Sequence, residues 1–143
     1  MKFATRRQAA PCATETIWDG GVSGTGVCGE GHELPVGRGT GGWSPEQLLL
    51  LGAESSLMES ILAAAREADI EVLGYVSSAH LDVPDERGAA PRLTLKPCIV
   101  VASVDDRQRA RLMSATVART SLAGRLLGNR LHVGLDIRLE PSA

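Results

Sequence analysis

The stretch Ser44–Ala68, SPEQLLLLGAESSLMESILAAAREA, limits the possible folds more than any other part of the chain. Its opening Ser-Pro-Glu-Gln reads as a helix start. Ser44 is placed to cap free amides as N-cap, Pro45 sits at N1 where an N–H has no intrahelical use, and Gln47 at N3 completes a capping box. Glu46 in the first turn faces the positive end of the helix dipole. Behind this start come Leu48 to Leu51, Ala53, Leu57, Met58, Ile61, Leu62 and Ala63 to Ala65. They cover most of the helix circumference rather than one stripe, which predicts burial on nearly all sides. A chain of 143 residues is short for that task, so a second copy of the protein is expected. Into the apolar run the sequence inserts Glu54, Ser55, Ser56, Glu59 and Ser60. Polar groups inside a buried helix are costly unless paired, which makes them the first place to look for function.

The remaining elements follow from alternation and turn chemistry. Residues 1–12 are polar and irregular and read as a flexible tail, leaving 13–143 as a single domain. Ala13–Asp19 alternates as a strand, Asp19-Gly20-Gly21 is a hairpin turn, and Val22–Cys28 is a Gly-rich second strand. Gly29 to Trp43 holds six glycines and reads as a mobile loop over a pocket, with a short strand at His32–Val36. After the helix, Ile70–Val83 and Arg92–Val104 are long strands joined by a turn. Pro97 within the second favours an edge or a bulge. Asp105 is expected to cap a second helix whose Arg107, Arg109 and Arg111 face water. A short helix over Ser121–Leu127 ends at Gly128-Asn129, and a final alternating strand runs from Leu131 to Leu139. Strands joined by hairpins and separated by helices indicate an α+β fold.

Composition narrows the function classes. A net charge of −2 and 3% aromatic content argue against a nucleic-acid binder. Glu54 interrupts the apolar run too soon for a membrane span, and the first residues lack the apolar segment of a secretory signal. Cys12, Cys28 and Cys98 share no metal-ligand spacing. A cytoplasmic protein with reduced thiols, no metal and no cofactor is expected. His80 and His132 fall on polar strand faces, and His32 lies in the glycine-rich loop.

Several segments together resemble the OsmC/Ohr proteins, the osmotically inducible and organic-hydroperoxide-resistance family. They are Trp18-Asp19-Gly20 followed by Gly24-Thr25-Gly26, Gly41-Gly42-Trp43-Ser44-Pro45-Glu46-Gln47-Leu48, Ala90-Pro91-Arg92-Leu93-Thr94, and Leu126-Leu127-Gly128-Asn129 before the last strand. The resemblance runs from about Trp18 to the C-terminus. It implies an intertwined homodimer in which antiparallel sheets wrap around two long central helices. It also implies thiol peroxidase chemistry, with a peroxidatic cysteine in the central helix, a resolving cysteine at the start of the short helix, and an arginine held by the glutamate of the Pro-Glu motif. Here the glutamate is Glu46 and the arginine is matched by Arg38. The peroxidatic position is Ser56 and the resolving position is Thr120, so both thiols are absent. A serine hydroxyl cannot pass through a sulfenic acid and be captured by a second thiol.

Three functions stay open at this point. In the first, a small apolar or acyl-type molecule binds or reacts in a dimer-interface pocket without a thiol. Ser56, Glu46 and Arg38 are its candidate catalytic residues, and Trp43, Glu54, Ser55, Glu59 and Thr120 its candidate ligand contacts. In the second, a displaced cysteine, Cys28 or Cys98, reduces organic hydroperoxides beside Arg38 in oxidative stress defence. In the third, the chain is a structural partner of a cysteine-containing paralogue. For Ser56 the plainer alternative is a hydroxyl bonded to the carbonyl one turn earlier.

Overall fold

The Asp19-Gly20-Gly21 signal forms a hairpin because Gly20 and Gly21 both take positive φ, 126° and 55°. In the computed structural model, which describes residues 13–38 and 41–141, this hairpin joins β1 (Thr14–Gly20) to β2 (Ser23–Cys28). The expected tail at 1–12, including Cys12, lies outside the described residues. The two strands pair antiparallel from Thr14 opposite Cys28 to Trp18 opposite Gly24. β3 (Glu33–Val36) adds to the far edge of β2, giving the order β1-β2-β3. Gly37 returns the chain tightly, since a Cβ there would lie 2.1 Å from the Val22 carbonyl oxygen. Tertiary contacts divide the chain into two units, Met1–Leu48 and Leu49–Ala143. This three-stranded sheet is the first.

α1 (Pro45–Glu67) begins as the sequence indicated. The Ser44 hydroxyl accepts from the Gln47 amide at 3.1 Å and Gln47 Oε1 accepts from the Ser44 amide at 2.9 Å, a complete capping box. Its end is set by Asp69 at φ 54°, with the Ile70 amide reaching back to the Ala65 carbonyl at 2.9 Å. Within the second unit one stripe of α1, Ala53, Leu57, Ile61 and Ala65, is buried. Burial on nearly all sides is not met among the described residues: Leu49, Leu51 and Met58 are exposed. Glu54 does not make α1 too short or too polar for a span: at 23 residues it is long and apolar enough by length and composition alone, a test that a core helix also passes.

The buried stripe packs in one cluster with Leu93, Leu95, Ile99 and Val101 of β5 (Arg92–Val101). β5 is central. On one side it pairs antiparallel with β4 (Val72–Asp82), and on the other it pairs parallel with β6 (Leu131–Val133) and β7 (Asp136–Leu139). Two expectations fail here. The final strand is broken in two and runs parallel to its neighbour, because the helical crossover returns the chain in the same direction. Pro97 sits inside the central strand, not at an edge. The carbonyls of Leu95 and Val101 accept from Gly134 and Glu140, so odd-numbered residues of β5 point their polar groups at the β6–β7 side. The missing N–H of Pro97 faces the break between those strands, where no ladder bond is lost.

The crossover is α2 (Val104–Thr120) followed by α3 (Leu122–Leu127) and a 3-10 turn at Gly128–Arg130. Ser103, not Asp105, caps α2, its hydroxyl accepting from the Asp106 amide at 3.1 Å. Arg109 and Arg111 are exposed as expected and Arg107 is half-buried. Arg109 pairs with Asp106 and donates to the Ala68 carbonyl beyond the end of α1.

Candidate functional site

Each unit carries its own group of candidate residues. In the first, the loop after β3 returns so that the Trp43 amide donates to the Pro35 carbonyl at 2.9 Å and the Gly37 amide to the Trp43 carbonyl at 3.0 Å. Trp43 is thus tied to β3 by its backbone while its ring is part-exposed. Gly42 permits this approach, since a Cβ there would stand 2.8 Å from the Pro35 carbonyl. Arg38, at the start of the loop, hydrogen-bonds Glu46 in the first turn of α1. The arginine–glutamate pair that the resemblance implied is formed. The Glu46 carboxyl is held below its usual range, first by its own backbone amide and then by the Arg38 guanidinium. Its second oxygen is enclosed and has no partner. A cavity of about 520 Å³ in the same unit is lined by Cys28, His32, Val36 and Leu48, among others.

In the second unit, Ser56 is used differently from either sequence reading. Its hydroxyl oxygen accepts from the backbone N–H of Ala123 in the first turn of α3, at 3.1 Å. The neighbouring amide of Gly124 goes to the Ser121 hydroxyl, also at 3.1 Å. A residue 67 positions away in sequence thus acts as a second cap for a helix of six residues. The peroxidatic position and the start of α3 are brought together, as the resemblance implied. Thr120 turns back into α2, donating to the carbonyls of Thr116 and Val117 at 3.2 and 3.4 Å. Both positions that the resemblance matches to thiols therefore hold hydroxyls engaged in helix-end bonds.

Glu54 lies on the same helix, with one carboxylate oxygen enclosed and unpartnered. The phenol of Tyr75 and the hydroxyl of Ser77, both on β4, are likewise buried without a hydrogen-bond partner. Burial, and then the negative charge of Glu54, push the Tyr75 phenol up to about 12. Ser55 is half-buried and Glu59 exposed; neither makes a side-chain hydrogen bond among the described residues. The sequence reading missed Tyr75 and Ser77 because only the folding of β4 into the unit buries them and sets Tyr75 within reach of the Glu54 charge. That Tyr75 is the single tyrosine was the one available signal. His80 and His132 are exposed, as expected. Among the described residues no group of three or more His, Cys, Asp or Glu side chains could hold a metal ion.

No family model and no curated protein matches the chain. Solved structures do. An OsmC-like protein from Mycoplasma pneumoniae superposes with a TM-score of 0.73 at 14% identity, covering 90% of this chain and 96% of its own. An organic hydroperoxide resistance protein OsmC from Legionella pneumophila gives 0.66 at 17% identity, covering 90% and 98%. The organic hydroperoxide resistance protein OhrB of Bacillus subtilis gives 0.64 at 16% identity, covering 88% and 98%. At these identities the likeness is one of fold.

Proposed function

We propose that this chain, whose fold is OsmC/Ohr-like, is a homodimeric, cytoplasmic protein that has given up the thiol cycle and binds a small apolar or acyl-type molecule. The observation that carries the reading is the fate of the two thiol positions. Ser56 accepts from Ala123 and Thr120 donates within α2, so neither side chain is a sulfur and both have fold-stabilising partners. Polar groups remain for a ligand in each unit: the Arg38–Glu46 pair in the first, and the Ser56 hydroxyl proton and the Glu54 carboxylate in the second.

A second reading has an observation of its own. Cys28 is a free, half-buried thiol lining the 520 Å³ cavity of the first unit together with His32. Solved neighbours are described as organic hydroperoxide resistance proteins, and a displaced thiol would preserve that chemistry here.

One experiment separates the two. Freshly reduced protein is incubated with cumene hydroperoxide while peroxide and free thiols are counted. The first reading expects no peroxide loss beyond the protein-free rate and no change in thiol number. Catalytic consumption with thiol loss, abolished by Cys28→Ser or Cys98→Ser, would sink it in favour of the second.

A further inference from the structure

Between α2 and β6 lies a feature the proposed function does not use. Arg111, Ser114, Ala115, Ala118 and Arg119 recur at three- and four-residue spacing and line a cavity of about 660 Å³. Its opposite wall is Leu131 and Val133 of β6, with Leu135 beyond them. Leu131 stands opposite Leu93 and Val133 opposite Leu95, so both share the sheet face that carries the core. Gly124 closes one end, and a Cβ there would fall 2.1 Å from the Ala118 carbonyl oxygen. Ser56 is not among the lining residues.

Three observations identify what this trough suits. Ser114 is 1% exposed, and its hydroxyl has no hydrogen-bond partner. Ser114 lines the trough, where a ligand oxygen would satisfy that hydroxyl. The floor and wall are alanine, leucine and valine, with room for a flexible chain. At the two ends stand Arg111 and Arg119, eight residues and about 12 Å apart along the helix axis, and neither has a carboxylate partner among the described residues. Between Asp106 and Asp136 the sequence has six arginines and no acidic residue, so this segment is basic although the chain is acidic overall.

We propose that this trough binds a linear carboxylate with an apolar chain. The carboxylate is held by the guanidinium of Arg111 or Arg119, whose planar fork matches two oxygens. The chain lies along Ala115 and Ala118 against Leu131 and Val133.

The test is calorimetric titration of the whole protein with decanoate and with decanol, which share a chain and differ in charge. Decanoate is expected to bind about tenfold or more tightly than decanol, the size of a charged hydrogen bond's contribution, and added salt should weaken only decanoate. Replacing both arginines, Arg111→Gln with Arg119→Gln, should remove the preference. Ala115→Leu, which fills the trough from an exposed position, should weaken both ligands, and Ser56→Ala should weaken neither. Equal affinities for decanoate and decanol in wild-type protein, with no salt dependence, overturn the proposal without any variant needing to fold. Loss of binding only in Ser56→Ala would assign the ligand to the other site, supporting the proposed function and defeating this one. If Ala115→Leu leaves decanoate bound but lowers the sedimentation mass, the trough seats a second copy and the proposal also fails.

Discussion

The phenol of Tyr75 has lost water and found no hydrogen-bond partner, while Glu54 places a negative charge nearby. Both effects disfavour the phenolate, burial more than charge, and raise the group from 10.0 to about 12. A raised folded-state value means that the native protein holds this proton more tightly than the unfolded chain. The associated stability is fully present below pH 10 and is lost as pH rises toward 12. Because Tyr75 is the only tyrosine, phenolate absorbance reports it alone. The titration midpoint of the native protein should lie well above that of the unfolded chain. Glu54→Gln should lower it part of the way, since burial, the larger cause, remains. A native midpoint equal to the unfolded one would mean that water or another donor already satisfies this group. The same reasoning explains why Ser56 was read only halfway from the sequence. Its place in a polar cluster was visible, but its partner is an amide 67 residues away, which no local pattern encodes.

At the level of elements, local chemistry predicted what local chemistry controls. The capping box at Ser44 and Gln47 formed as written, and the hairpin glycines took the positive φ that their turn needs. The beginning of α2 was misplaced because Ser103 and Asp105 are both good caps and lie two residues apart. The choice depended on where β5 could end, and that is set by its pairing to β4 and β7 at Val101. The two residues now differ in predicted cost. Ser103→Ala removes the acceptor of the Asp106 amide and should destabilise by about 1 kcal/mol. Asp105→Ala removes only an exposed first-turn charge and should cost roughly 0.3–1 kcal/mol at low salt, less as salt is raised. Denaturant titration at two salt concentrations checks both, and a salt-independent loss at Asp105 would restore it as the cap. Pro97 and the broken last strand were illegible for a related reason. Alternation from Leu131 to Leu139 specifies a face, but says nothing of direction or of which neighbour receives it.

For the molecule as a whole, the most informative surface is the second stripe of α1. Leu51 and Met58 are one heptad apart and exposed, and Leu62 continues the line half-buried. They lie about 100° around the helix from the stripe that packs on the sheet, too far for the same partner to cover both. A stripe of this kind on a two-fold axis meets its own copy, which is the simplest reason for a sequence to keep it apolar. Its size sets a further requirement. Each of these side chains is already partly covered, so each gains about 1 kcal/mol on burial. Three from each copy give roughly 6 kcal/mol, near the low end of the ~4–15 kcal/mol that association costs. A dimer centred on this stripe would therefore need an interface that extends past α1, and Leu73 and Val76 on β4 are exposed apolar candidates for it. Sedimentation equilibrium should give twice the 15.0 kDa chain mass. Leu51→Lys with Met58→Lys should shift the population to single chains while the buried stripe keeps the second unit folded, as far-ultraviolet circular dichroism would report. Val104→Lys, at an apolar residue of α2 more exposed than either, should leave the mass unchanged. A wild-type mass of one chain would remove the homodimer and leave the apolar face of α1 to some other partner. A two-chain mass insensitive to the paired lysines would keep the dimer but move its centre off this helix.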